Sequence, residues 1–295
     1  MREMLGLTGA LTRTGRVEAS MVDIGAVWDR TVEFVSDNLS AVVPIALMGI
    51  FVPLSISNSL APLANGAVPG ERSVIYSAMI LLSLWSIWGN LGITALALDP
   101  HGGRQAAIQM AGRRLVPAIL VSLTLLVGVI LATAPMFIAL YITGFDFAAA
   151  ASGHATPPED GARAFIGLYA LALFVIGFWI GARLIVLLPT IVMEQRGMGV
   201  FARAFRLTRG NALKIIGVLL LYFIVMFVAQ VATKFVFGAI FGLLFGGDGA
   251  VSLATILTSI MVGVVATTFT ILATAFVTRL YMALRDARES IVEAR

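Results

Sequence analysis

The sequence contains no cysteine, which excludes disulfide bonds, thiolate metal sites and cysteine nucleophiles. Only 12% of its 295 residues are charged, about half the share typical of soluble globular proteins. It has just two histidines, His101 and His154, which lie far apart in the sequence. These shortages exclude a water-soluble enzyme, and a histidine-based metal or catalytic site would need other ligand types.

Apolar residues are abundant instead. They account for 59% of the chain, and the mean hydropathy is +0.98, so lipid is the expected solvent for most of it. The first 20 residues contain three arginines but no apolar run long enough for a cleaved secretory signal. We therefore predict a cytoplasmic tail at 1–20 and insertion through the first membrane-spanning helix.

Six stretches are long enough to cross a membrane, since a transmembrane helix needs about 20 mostly apolar residues. They predict an all-α, polytopic membrane domain over 21–285 and a cytoplasmic C-terminal tail at 286–295. The fourth stretch is longer than a bilayer requires, and Pro189 predicts a kink near its end. The predicted spans are 39–60, 73–98, 115–142, 164–193, 213–241 and 251–278.

Basic residues are distributed unequally between the two sides of this predicted domain. Seventeen of the 20 lysines and arginines fall on the side of the chain termini. The positive-inside rule therefore predicts that both termini are cytoplasmic. Because the positive charge is a topology signal, and no basic segment is interleaved with stacking aromatic residues, we expect no nucleic-acid binding.

The chain has the pattern of an internal repeat. A short segment that opens with glycine precedes each odd-numbered span, and each segment leads into a hairpin of two spans. We predict three repeats of an interfacial amphipathic helix plus a helical hairpin, over about 21–98, 99–193 and 194–285. The three short segments are 25–38, 103–114 and 199–211.

The third short segment is the most amphipathic. Arg203, Arg206 and Arg209 share the face opposite its apolar residues, and we predict that they contact lipid phosphates or a protein partner, the alternative being a solvated basic face. The first segment presents acids instead, among them Asp29 and Glu33. We therefore expect the acidic first helix to pack near the basic third helix.

A polar elbow is predicted at the end of the fourth span, formed by Arg183, Pro189 and Glu194. An intramembrane arginine is a functional candidate by default, but Arg183 can also extend to the lipid headgroups or pair with Glu194. Glu194 in turn can pair with Arg183, Arg196 or Arg206, or simply precede a helix N-terminus favourably. The sequence leaves structural and functional roles open for this elbow.

Other polar and small residues in the spans favour helix packing. Asn90 and Gln230 are expected to join helices through hydrogen bonds, and Lys234 to anchor its helix at the outer interface. Glycines spaced four apart let helix backbones approach closely, and we expect them to pack within the subunit, with dimerisation as the alternative. These pairs include Gly177 with Gly181 and Gly238 with Gly242.

The stretch 183–211, RLIVLLPTIVMEQRGMGVFARAFRLTRGN, resembles a bacterial family of membrane domains named for their fusion to some glycerophosphoryl diester phosphodiesterases. Arg183, Pro189 and Glu194 carry the resemblance, together with 205–208 and 210–211, and Tyr281 fits the family's C-terminal pattern. Ala204 stands where relatives commonly have serine. The resemblance implies a bacterial inner-membrane location. In relatives the hydrolytic chemistry belongs to a separate soluble domain, so we expect no phosphodiesterase activity here.

These observations predict a noncatalytic inner-membrane protein without a cofactor or metal. We expect a scaffold or accessory protein that contacts membrane lipids or a protein partner through its cytoplasmic amphipathic helices, with a homodimer as a further option. The alternative is a transporter or lipid-handling protein with a path between the repeated hairpins.

Overall fold

The computed structural model describes residues 22–151, 160–194, 199–246 and 252–293, and the predicted tail at 1–20 and His154 lie outside these residues. The described chain is helical without β-strands, and six helical stretches are long and apolar enough to cross a membrane. The predicted fold class is therefore confirmed.

Eleven α-helices are described, and the six spans consist of α2 with α3, then α4, α5, α7 with α8, α10 and α11. The helices are α1 (Ile24–Asp37), α2 (Leu39–Ala46), α3 (Val52–Gly66), α4 (Pro69–Leu98), α5 (Gly103–Ile142), α6 (Phe147–Ala151), α7 (Asp160–Leu184), α8 (Leu187–Glu194), α9 (Val200–Leu207), α10 (Ala212–Phe245) and α11 (Leu253–Glu293).

The short helices α1 and α9 pack against the last turns of α11 in one apolar cluster. We call this end of the molecule the proximal end, and the end with the α3–α4 and α10–α11 connections the distal end. α11 has 41 residues, which corresponds to about 60 Å of helix. It therefore extends well beyond the predicted end at 278, and residues 286–293 of the predicted tail are helical.

The three short segments that precede the hairpins differ from one another. α1 and α9 are separate helices, as expected, whereas residues 103–114 are the first turns of the 40-residue helix α5. Between α9 and α10 the chain turns at Gly210, whose φ of 98° lies in the left-handed region that glycine adopts easily. The middle segment is therefore not a separate interfacial helix, and the threefold repeat stays a prediction.

Prolines interrupt two of the spans. In the first span a π-helical turn, Leu47–Phe51, separates α2 from α3, because Pro53 lacks the N–H that would bond to the Gly49 carbonyl. In the fourth span the helix breaks at residues 185–186, since Pro189 offers no N–H to the Ile185 carbonyl and its ring collides with it. The kink expected near Pro189 is therefore confirmed.

The first, second and sixth spans form the packed centre of the bundle. Every residue over 91–97 of α4 is buried, as expected of a helix that is surrounded by protein. α4 crosses the first span so closely that a Cβ atom added at Gly49 would lie 2.4 Å from the Cα of Gly89. This crossing requires glycine on both helices. The hydrogen bond predicted for Asn90 is also present, since the Thr274 hydroxyl on α11 donates to its Oδ1 at 3.0 Å.

The third and fifth spans and α7 lie at the periphery, whereas α8 at the end of the fourth span is largely buried. All side chains over 125–132 of α5 are exposed, and in this stretch the Tyr169 hydroxyl of α7 donates to the Ala132 carbonyl at 2.8 Å. A Cβ added at Gly177 or Gly181 would meet no atom within 4 Å. The prediction that this glycine pair packs within the subunit is therefore wrong. The close contact between small residues forms at Gly49 and Gly89 instead.

Candidate functional site

The helix α9 is positioned by the burial of its apolar residues against the rest of the protein. Val200, Ala204 and Leu207 are almost fully buried, and they pack in one cluster with Leu280 and Tyr281 of α11. An apolar face that is already covered by protein is not free to enter lipid. The surface that α9 offers at the proximal end is consequently its arginine face.

Glu194 joins three elements at the predicted elbow. Its Oε1 accepts a hydrogen bond from Arg203 Nε at 2.7 Å and another from the Tyr281 hydroxyl at 3.2 Å. The carboxylate side chain is 14% exposed and the Arg203 side chain 26%. Glu194 thus links the end of α8 to α9 and α11, with Arg203 as the partner that the sequence did not single out.

Arg183 connects α7 to α9 without a carboxylate partner among the described residues. Its Nη1 donates to the Phe205 carbonyl at 3.4 Å, and its guanidinium lies 5.0 Å from the centroid of the Trp179 ring. The Thr208 hydroxyl donates to the Arg183 carbonyl at 3.3 Å. These contacts bind the C-terminal end of α9 to the fourth span and assign Arg183 a bracing role.

Three further arginines meet beside this brace. Arg206 and Arg209 are exposed, and Arg288 Nη2 donates to the Arg209 carbonyl at 3.5 Å. Arg288 lies near enough to Arg203, Arg206 and Arg209 for their charges to repel it. We call Arg206, Arg209 and Arg288 the arginine cluster. Sequence analysis found two of its members but missed Arg288, because helical periodicity reveals neighbours only within one helix.

The nearby acids are engaged with other arginines. Asp286 and Glu289 both pair with Arg285, at 3.4 and 3.6 Å respectively, and Glu194 pairs with Arg203. Within the described part of the chain, no ion pair involves a residue of the arginine cluster. Its positive charge is therefore available to an external anion.

The acidic first helix and the basic third helix contribute to one apolar cluster, as expected, but charge pairing between them is not seen among the described residues. In the described ranges no ion pair joins Asp29 or Glu33 to Arg203 or Arg206. Glu33 instead lies near Arg279, whose guanidinium stands 4.9 Å from the centroid of the Phe34 ring. α11 lies against both short helices and supplies a cation to the acidic one.

A second polar feature lies in the distal half. A cavity of about 980 Å³ separates α3 and α4 from α10 and α11, and we call it the distal cavity. Lys234 and Gln230 line it, although the sequence predicted an interfacial anchor and a helix contact for them. Gly238 and Gly242 also line it; a Cβ atom at Gly238 would lie 3.9 Å from Thr258 of α11, whereas one at Gly242 would meet no atom within 4 Å.

Comparisons with protein-family models, with curated proteins and with solved structures find no match for this chain. Across residues 22–151, 160–194, 199–246 and 252–293, no group of three or more His, Asp or Glu side chains is placed to hold a metal ion. The family resemblance and the functions that it implies stay predictions.

Proposed function

We propose that this chain is a noncatalytic inner-membrane protein, with scaffold or accessory function, whose arginine cluster binds the phosphate groups of anionic lipids at the cytoplasmic surface. The observation that carries the proposal is the convergence of Arg206 on α9, Arg209 in the turn that follows α9, and Arg288 on α11. Guanidinium groups bind phosphate oxygens in a forked geometry. An anion between them would offset the mutual repulsion that the cluster maintains.

The position of the cluster favours lipid over a protein partner. Arg209 stands three residues before the first residue of α10, a span whose side chains are mostly exposed. The guanidinium groups are thus level with the end of a lipid-facing helix, where headgroup phosphates of an anionic inner leaflet lie. An acidic protein segment remains the competing occupant of the same surface.

Replacing Arg206, Arg209 and Arg288 together by glutamine is expected to weaken anionic lipid binding. Each basic residue near an anionic membrane surface contributes about 1 kcal/mol, so the loss of three should lower the affinity for phosphatidylglycerol by about two orders of magnitude. Native mass spectrometry of the protein released from nanodiscs of phosphatidylglycerol and phosphatidylcholine measures the lipid that is retained.

The matched control carries the same charge change elsewhere at the proximal end. Arg30, Arg104 and Arg113 are exposed and lie outside the cluster, so their triple glutamine variant should retain phosphatidylglycerol like the wild type. Equal losses in the two triple variants would mean that the cluster has no specific role. A stoichiometric protein released with the wild type and lost only from the cluster variant would favour the partner instead.

A transporter or lipid-handling protein is the second candidate function, and the distal cavity favours it. The cavity lies between hairpins of the first and third predicted repeats, which is where transporters of repeated construction place their binding sites. The purified protein in vesicles should then accelerate flipping of a fluorescent phospholipid, or uptake of a solute, above the rate in protein-free vesicles. Rates equal to those of protein-free vesicles would contradict this candidate.

A further inference from the structure

Lys234 lies within the helix α10 rather than at its end. It follows Lys214 by 20 residues and precedes the last residue of α10 by 11, or about 30 Å and 16 Å of helix. The stretch after Lys234 remains apolar and exposed, with Phe235 at 74% and Leu243 at 89% exposure. A lysine between lipid-facing stretches is costly unless it reaches a partner or a water-filled cavity, and Lys234 lines the distal cavity.

Lys234 and the side-chain amides near it are hydrogen-bond donors without partners among the described residues. In the described part of the chain, no ion pair involves Lys234 and no hydrogen bond involves the side-chain amide of Asn58 or Gln230. The described lining residues include no carboxylate. A cation would be repelled by the ammonium group, whereas an anion would neutralise it and accept bonds from the two amides.

The space fits a headgroup-sized ligand. The volume of about 980 Å³ lies at the upper end of the range of about 300 to 1,000 Å³ that small-molecule pockets occupy. On the proximal side the helices close, because a Cβ at Gly263 would lie 3.2 Å from the Phe51 ring and 3.3 Å from Ser55 Oγ. A Cβ at Gly242 meets nothing within 4 Å, so the distal half of the wall stays open.

We infer that the distal cavity is a binding site for a phosphate-bearing ligand, with Lys234 as the counter-charge and Asn58 and Gln230 as hydrogen-bond donors. Phosphate offers several acceptor oxygens and negative charge, which match the two free amide groups of Asn58 and Gln230 and the ammonium group of Lys234. The same chemistry is found on a phospholipid headgroup and on a free phosphate ester. The inference rests on the cavity of the second candidate function and names its ligand class, but it requires binding alone and not transport.

The test compares two lysines of the same helix. Lys234→Gln and the control Lys214→Gln remove equal charge, since Lys214 is exposed at the proximal end of α10. Both substitutions are made in the full-length triple variant in which glutamine replaces Arg206, Arg209 and Arg288. Lipid bound at the arginine cluster then does not contribute to the measured binding. Native mass spectrometry after transfer from phosphatidylglycerol nanodiscs measures retained lipid, and titration with sn-glycerol 3-phosphate measures binding of a free phosphate ester.

Phosphate binding should fall at least tenfold in Lys234→Gln and stay within twofold of the parent in Lys214→Gln. Lys234→Arg should preserve most of the binding, and Gly242→Leu, which fills the wall without changing charge, should reduce it. Retention of phosphatidylglycerol without binding of glycerol 3-phosphate identifies a lipid ligand, and the converse identifies a free ester. Equal binding by Lys234→Gln and Lys214→Gln overturns the inference, as does absence of both probes from the parent.

Loss of phosphate binding can be distinguished from unfolding of the variant. Removal of an unpaired charge from a membrane span should leave stability unchanged or raise it, and the thermal transition of each variant checks this. Phosphate binding without lipid flipping or solute uptake would support the site while contradicting the transport function.

Discussion

Gly89→Val is expected to be among the most damaging single substitutions in this protein. A Cβ atom at Gly89 would lie 2.4 Å from the Gly49 carbonyl oxygen, and the reciprocal atom at Gly49 would lie 2.4 Å from the Gly89 Cα. Both obstacles are backbone atoms, which cannot move aside as a side chain can. Because ordinary overpacking costs about 1 to 3 kcal/mol, we expect a loss of about 3 kcal/mol in the free energy of unfolding.

Unfolding in mixed micelles, followed by circular dichroism, measures this loss. Gly181→Val is the matched control, since it also places valine in a membrane helix but meets no atom within 4 Å. Its stability should stay within about 1 kcal/mol of wild type, the range of helix propensities. Equal stabilities of the Gly89 and Gly181 variants would show that the first and second spans do not cross as closely as the structure indicates.

Glu194→Leu is expected to produce the second large loss of stability. It leaves the Arg203 guanidinium without its carboxylate and the Tyr281 hydroxyl without an acceptor. Removing one partner of a buried ion pair costs about 3 to 5 kcal/mol, and the 14% and 26% exposure of this pair places the expected cost near the lower end. The same unfolding titration in mixed micelles measures it.

Two variants separate the ion pair from a general effect of charge. Glu289→Gln breaks an ion pair with Arg285 in which the Glu289 side chain is 63% exposed, so its cost should be below about 1 kcal/mol. The double variant Glu194→Leu with Arg203→Leu should recover part of the loss, because no unpaired charge remains buried. Strictly additive losses would show that Glu194 and Arg203 do not stabilise the elbow as a pair.

The sequence predicted the elbow at Glu194 only in part and did not indicate the crossing at Gly49 and Gly89. The elbow was predicted from the intramembrane charge of Arg183, and Arg183, Arg196 and Arg206 were the expected partners of Glu194. Helical periodicity does not determine which residue of α9 turns back toward α8. That choice follows from the burial of Val200, Ala204 and Leu207 against α11, which orients Arg203 toward Glu194.

The positions of the glycines in the sequence likewise did not predict where two helices meet. The spacing of Gly177 with Gly181 predicted a helix contact, yet both positions are open, whereas Gly49 and Gly89 belong to no such pair and meet backbone to backbone. A four-residue spacing of glycines indicates only that one face of a helix lacks side chains that would keep a second helix away. Close approach also requires that a second helix crosses at that height, which depends on how both helices are tilted.

Hydropathy is sufficient to predict the six apolar spans and the all-helical class, because each span must satisfy its own backbone hydrogen bonds and meet lipid with apolar side chains. The sequence also indicates which face of α9 is basic. The folded structure was needed to show that Arg288 completes the arginine cluster, that Glu194 bonds to Arg203 and Tyr281, and that Lys234 lines a cavity. Those contacts join residues on different helices, and their positions depend on crossing geometry and close packing that hydropathy and periodicity do not encode.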